Sequence, residues 1–336
     1  MKLGRFAGCR KAALFAVVLL LLALCSGAVW ADKGVNSNPL AAQDVRVLAD
    51  VSPVVNISGA RYQTGGIALR NLAMGAITIS GIPAGSTMKG AALYWAFTSL
   101  DQPVAGVHNK IQIRRLRPLP MGGNITVTGT LVGSGADPCW YGGSILIYRA
   151  NVTSVVTGAG EYLVTLMPGA TGSTAGEDPW AGGALLPFAE GASLVAIYRN
   201  DTEAMGNVLL YDAGLAGATF SGSLSYNLLS PVTGTAVRWD MAGEDGQIGG
   251  SVAAHPGTAF ETGFLNATQV YGPGSTIGDS FWNGADGNPL PQLHDTHGIA
   301  ISEPIGPATP IAVTHNANND CLTPAFNVLL VIPSSY

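Results

Sequence analysis

The sequence predicts an all-β protein: an antiparallel β-sandwich of jelly-roll-like form. Short stretches rich in Val, Ile, Thr and aromatic residues recur at intervals of roughly 10–15 residues. Many of them alternate apolar with polar positions, the period of a half-buried strand. The gaps are punctuated by turn formers, drawn from 45 glycines and 20 prolines. Long amphipathic helices are absent, which leaves the sandwich and the jelly roll as the fitting architectures.

The first 31 residues stand apart from that pattern. Lys2, Arg5, Arg10 and Lys11 precede an unbroken apolar run from Ala12 to Leu24, and Val29-Trp30-Ala31 offers small residues at a cleavage site. This predicts a secretory signal peptide over residues 1–31, cleaved after Ala31. The run is too short for a membrane span, which needs about 20 apolar residues. Cys25 raises lipid anchoring as the alternative, but Leu24 stands before it where a lipoprotein signal carries Gly, Ala or Ser. The expected location is therefore extracellular or in the cell envelope, with no membrane span in the mature chain. Residues 32–44 are polar and read as a flexible leader, and residues 45–336 as the sandwich domain.

Within that domain the strands can be taken in order. Ile77-Thr78-Ile79-Ser80 alternates and ends in the turn Gly81-Ile82-Pro83-Ala84-Gly85. Ala91–Phe97 is apolar on both faces and reads as a central strand. Ile111-Gln112-Ile113-Arg114 alternates, and Ile125, Val127, Gly129 and Leu131 alternate with threonines. Further strands are predicted at Ser144–Tyr148, Tyr162–Leu166, Ser193–Tyr198, Val208–Tyr211, Ser221–Leu228, Ile299–Ser302 and Asn327–Ile332. One short helix is expected over Asn151–Gly158, with Asn151 as its cap, valines at helical spacing and Gly158 as its stop. A seam near Ala213–Gly222 could divide the domain.

Charge narrows the function. Removal of the four leader cations leaves 12 Lys and Arg against 21 Asp and Glu, a net charge of −9. Nucleic acids and anionic membranes call for basic surface, so the balance argues against both. Two cysteines remain, Cys139 and Cys321. In an oxidising compartment they form one disulfide across about 180 residues, or else stay as two buried thiols.

Chemistry-bearing residues are sparse. Acidic loops crowd the C-terminal third, and Asp245, Asp279, Asp286 and Asn288 are candidate ligands for a structural calcium, which takes carboxylate, amide and carbonyl oxygens. EF-hand spacing is missing, and Asp-Gly and Asn-Gly also serve as plain turns. His294 and His297, three residues apart, could ligate one metal on a helix. Pro289, Pro291 and the strand-like Gly298-Ile299-Ala300-Ile301 argue against a helix, and the segment reads as a surface loop with two unrelated imidazoles. No Gly-x-Ser-x-Gly elbow occurs. Trp140, Tyr141, Trp180 and Trp282 sit in Gly-, Pro- and Asp-rich loops, where a ring could stack on a sugar or cap the end of the sandwich. Trp95 and Trp239 read as core.

The ordered landmarks resemble a family. They are Ile82-Pro83-Ala84-Gly85 with Gly90-Ala91-Ala92-Leu93-Tyr94-Trp95, then Asp137-Pro138-Cys139-Trp140 leading to Tyr148-Arg149-Ala150-Asn151. Glu190–Tyr198, Tyr211-Asp212-Ala213-Gly214, Gly243-Glu244-Asp245-Gly246 and Asn319-Asp320-Cys321-Leu322 follow. Together, over residues 60–332, they are similar to secreted bacterial and archaeal proteins with DUF3344-like, adhesin-associated domains. The resemblance implies an extracytoplasmic β-sandwich of surface character and brings no catalytic set. The expected role is non-catalytic binding or structure, toward a glycan, a cell-surface protein or copies of the same chain, with no cofactor required. The alternative is an extracellular polysaccharide hydrolase or lyase that uses a carboxylate pair or bound calcium.

Overall fold

The structure is a computed structural model that describes residues 45–47, 50–99, 104–136, 144–170, 172, 187–212, 222–244, 261–272, 281, 282, 286, 294–317 and 322–334. All of them lie in the compact unit Ala31–Tyr336. Among the described residues the regular structure is entirely β. The first strands are β1 (Val45–Val47), β2 (Val55–Ala68), β3 (Met74–Ile79), β4 (Thr87–Ser99), β5 (Lys110–Arg117) and β6 (Ile125–Thr128). Then come β7 (Thr130–Ala136), β8 (Ser144–Asn151), β9 (Gly160–Leu166), β10 (Phe188–Arg199), β11 (Gly206–Asp212) and β12 (Ser223–Leu228). The last are β13 (Gly234–Glu244), β14 (Thr262–Leu265), β15 (Thr268–Val270), β16 (His294–Ile305), β17 (Ile311–Asn316) and β18 (Thr323–Pro333).

One nine-stranded sheet, in the order β16-β13-β18-β11-β2-β10-β4-β8-β7, runs through the molecule. A four-stranded sheet, β3-β9-β5-β6, and a five-stranded sheet, β1-β12-β17-β14-β15, complete it. Strand parity shows how they stack. On β4, Ala91, Leu93, Trp95 and Phe97 share a core with the four-stranded sheet, while Ala92, Tyr94 and Ala96 face the opposite way. On β18, Leu329 and Val331 pack with the five-stranded sheet, and Val328 and Leu330 face back toward β4. Tyr94 and Phe326 meet across that middle space with ring centroids 4.8 Å apart. The long sheet thus folds over on itself and serves two sandwiches, giving four layers around three apolar cores. This is why its central strands are apolar on both faces: each lies between two cores.

The fold turns on β2. Residues 55–60 pair with β11 and residues 61–68 with β10. Gly59, at φ 63°, is the extra residue of a bulge at the changeover. The bulge shifts the alternation, so Val55 and Ile57 before it and Ala60 and Tyr62 after it all face the middle core.

The predicted helix over Asn151–Gly158 does not form. The amide N–H groups of Val155 and Val156 both donate to the Val152 carbonyl, at 2.9 and 3.1 Å, which makes a single turn. Val152, Val155 and Val156 are instead side-chain plugs in the first core. β-branched residues gain more from that packing than from a helix of two turns. Residues 213–221 of the expected seam lie outside the described residues, and the strands on either side of them join the same fold.

Candidate functional site

From residue 61 onward β2 is paired on one edge by β10, and β16, an edge strand bound to β13, packs beside its other edge. Asp286 ties the two together through its backbone. The Ala68 N–H donates to the Asp286 carbonyl at 3.1 Å, and the Asp286 N–H donates to the His294 carbonyl at 3.2 Å. A buried polar seam follows this closure. Asp240 of β13 accepts from Tyr62 Oη at 2.9 Å, from Thr64 Oγ1 at 2.6 Å and from the Arg238 guanidinium at 2.6 and 2.7 Å.

Further along the seam, Ser193, His294 and Glu244 come together. Ser193 Oγ lies 2.8 Å from His294 Nε2, and His294 Nδ1 lies 2.6 Å from Glu244 Oε2. Thr296 Oγ1 is 2.6 Å from Ser193 Oγ, and Asp286 Oδ2 is 3.9 Å from His294 Nε2. Two glycines make room for this set. A Cβ at Gly191 would overlap the His294 ring, and one at Gly66 would overlap Asp286 and Thr296. Beside them the Glu190 carboxylate accepts from Arg70 Nε at 3.1 Å and from Thr98 Oγ1 at 2.8 Å.

The distances are those of a nucleophile, a base and an orienting acid, the geometry by which such triads are recognised on unrelated folds. The surroundings work against that chemistry. Ser193, His294 and Glu244 are each about 1% exposed. Burial pulls the His294 pKa down, but Glu244, Asp286 and Asp295 outweigh it and hold the imidazole protonated, with a pKa of about 9. An imidazolium donates from both nitrogens and cannot take the serine proton. Ser193 also sits in mid-strand, in register with Gly66 and Tyr94 on either side, rather than at a sharp turn that would present its hydroxyl. Burial pushes the Asp286 carboxyl up to about 7, against the pull of the nearby His294.

Sequence-predicted residues fall in different places. Trp282 is not a loop ring open to a ligand. It is fully buried in the second core, where its Nε1 donates to His315 Nδ1 at 3.3 Å and its ring meets Phe281 edge-on. Trp140, Tyr141, Trp180, Asp245, Asp279, Asn288, Cys139 and Cys321 lie outside the described residues. Asp286 is described and belongs to the closure just set out. Among the described residues no group of three or more His, Cys, Asp or Glu side chains is arranged to hold a metal ion.

The expected surface loop at His294–His297 is a buried strand, β16, and the alternation separates its two imidazoles. His294 faces β10, and His297 packs edge-on against Phe281 at 4.6 Å, where burial lowers its pKa. Ser193 and Glu244 carried no local signal: one lies in an apolar strand, the other in a Gly-Glu-Asp-Gly segment that reads as a turn. Trp95 and Trp239 are core, as expected. No protein-family model matches the chain, and no curated protein matches it.

Proposed function

We propose that this is a secreted, extracytoplasmic β-sandwich protein that acts by binding or as a structural element, and not by catalysis. The observation that carries the reading is the state of the Ser193–His294–Glu244 set. A serine sealed from solvent beside a protonated imidazole lacks both an incoming substrate and a base. The set instead works as a latch between β10, β13 and β16, with each hydrogen bond to a charged group contributing on the order of 1.5–3 kcal/mol. A sheet shared by two sandwiches and latched along its interior makes a stiff body, which suits a surface or envelope component of the DUF3344-like kind. A Cys139–Cys321 disulfide belongs to the same reading, and thiol titration of the unreduced, unfolded protein would find no free thiol from this pair.

The 2.8 and 2.6 Å distances favour one second reading, an acyl hydrolase with Ser193 as nucleophile. A fluorophosphonate probe separates the two. Absence of labelling at neutral and alkaline pH, together with binding in a glycan and surface-protein screen run with calcium and with EDTA, supports the binding reading. Labelling that disappears in Ser193→Ala would establish the hydrolase.

A further inference from the structure

The four-stranded sheet carries a charge opposite to that of the chain. Strand β5 holds Lys110, Arg114, Arg115 and Arg117, a third of the 12 cations between Asp32 and Tyr336. Glu161 is the sole acid in the sheet's four strands. The hairpin that links β5 to β6, residues 118–124, ends in Pro118-Leu119-Pro120-Met121-Gly122-Gly123-Asn124. At its tip Leu119 is 74% exposed and Met121 59%, and Ile125 at the start of β6 is 43% exposed. Arg117 stands at the base with its side chain 76% exposed.

The tip is braced. The Gly122 N–H donates to the Arg115 carbonyl at 2.9 Å, and Arg115 Nε donates to the Arg117 carbonyl at 3.3 Å. Arg115 Nη2 reaches the Ala159 carbonyl at 3.5 Å. Arg115 therefore shapes the hairpin. Arg117 keeps its side chain exposed although its Nε lies 3.5 Å from Glu161 Oε2, and Arg114 is half-buried, with its Nε out of contact with water. Two large apolar side chains on a braced projection leave apolar surface in water that a partner would cover.

We propose that this hairpin docks the protein on an anionic lipid surface, with Leu119 and Met121 entering the interface and Arg114 and Arg117 meeting the headgroup phosphates. A narrow apolar wedge with a cationic base fits a yielding boundary. Its apolar end sinks below the level of the phosphates that the guanidinium groups contact. The net charge of −9 does not oppose this. The sheet's own strands carry four cations against one acid, Glu161, and exposed charges more than a Debye length away, about 8 Å at physiological salt, are largely screened. The inference uses a different surface from the latch and holds whether or not the interior is catalytic.

The test is co-sedimentation of the full chain with phosphatidylcholine vesicles, with and without phosphatidylglycerol, at low and high salt. The variants are Leu119→Ser/Met121→Ser and Arg114→Gln/Arg117→Gln. All of these proteins carry the same N-terminal apolar segment, so the hairpin is read from the differences between them. Binding to the anionic vesicles is expected to weaken about tenfold or more in each variant and in high salt, with unchanged melting temperatures. Equal sedimentation of the wild type and both variants, or none by the wild type, would overturn the proposal. So would concentration-dependent self-association, without vesicle binding, that Leu119→Ser/Met121→Ser abolishes, since the tip would then belong to a second copy of the chain.

Discussion

Strand β10 has two faces, and they belong to two different kinds of interior. One face sends Leu194, Ala196 and Tyr198 into the first core, where Trp95, Phe97, Ile111, Ile113 and Tyr162 surround them. The other sends Val195 and Ile197 into the middle core but places Ser193 against His294, with the Asp240 and Glu244 carboxylates along the same closure. The first interior is held by area removed from water, which is non-directional and tolerant of exchange. The second is held by short polar contacts that fit one geometry. The apolar core contributes more stability, whereas the seam fixes where β16 closes on β2, a registry role that buried polar groups fill in some proteins.

This contrast makes graded predictions. The largest effect belongs to the apolar side. Trp95→Ala removes a ring stacked on Tyr148 at 5.7 Å and the Nε1–H bond to the His108 carbonyl at 2.8 Å. It should cost about 4–5 kcal/mol in urea unfolding. Next comes the seam. Glu244→Ala leaves a charged His294 buried beside a vacated site and should cost about 3–4 kcal/mol. Replacing both partners, Glu244→Leu with His294→Leu, should cost roughly half as much as that single change, because no unpaired charge remains. If the double variant is the weaker protein, the seam stabilises by packing and the contrast fails.

The pH dependence sharpens the comparison. The folded pKa of His294, about 9, lies above its ordinary 6.5. Its contribution is therefore complete below pH 6.5 and is lost as pH rises through 9. Asp286, raised from 3.8 to about 7, acts in the same direction at lower pH, its contribution declining as pH rises from 4 to 7. His315, buried and next to His297, is lowered to about 3 and works the other way, losing stability as pH falls below 6.5. Between pH 7 and 9.5 the His294 contribution stands apart from the other two. Stability should fall there by on the order of 2–3 kcal/mol. His294→Gln should be nearly flat over the same range in thermal melts. The smallest effect is Ser193→Ala, about 1 kcal/mol for one neutral hydroxyl. A much larger loss would mean that Ser193 organises the latch rather than completing it.

The same division decided what could be read from the chain. Strands β4, β10 and β18 are apolar runs, and β9 alternates cleanly, so their existence was legible. Two strands that build the seam were not. β2 carries Arg61, Gln63, Thr64, Gly65 and Gly66, and β13 carries Arg238, Asp240 and Gly243. These residues break the apolar pattern and read as turns. They lie in strands because the second half of the molecule folds back and offers each polar group a partner from distant sequence. The glycines at 66 and 191 mark the close approach, yet in the sequence they look like the other 43. The Asn151–Gly158 segment failed in the opposite way: its valines have helical spacing, and the spacing serves core packing.

The account rests most directly on the charge of one imidazole. The chain holds five histidines, so selective nitrogen-15 labelling of histidine gives few enough signals to assign through His294→Gln. At pH 7 the His294 ring should show protons on both nitrogens, with a titration midpoint near 9. A neutral His294 ring at pH 7, titrating near or below its ordinary 6.5, would contradict the latch and return Ser193 to the position of a nucleophile beside a working base.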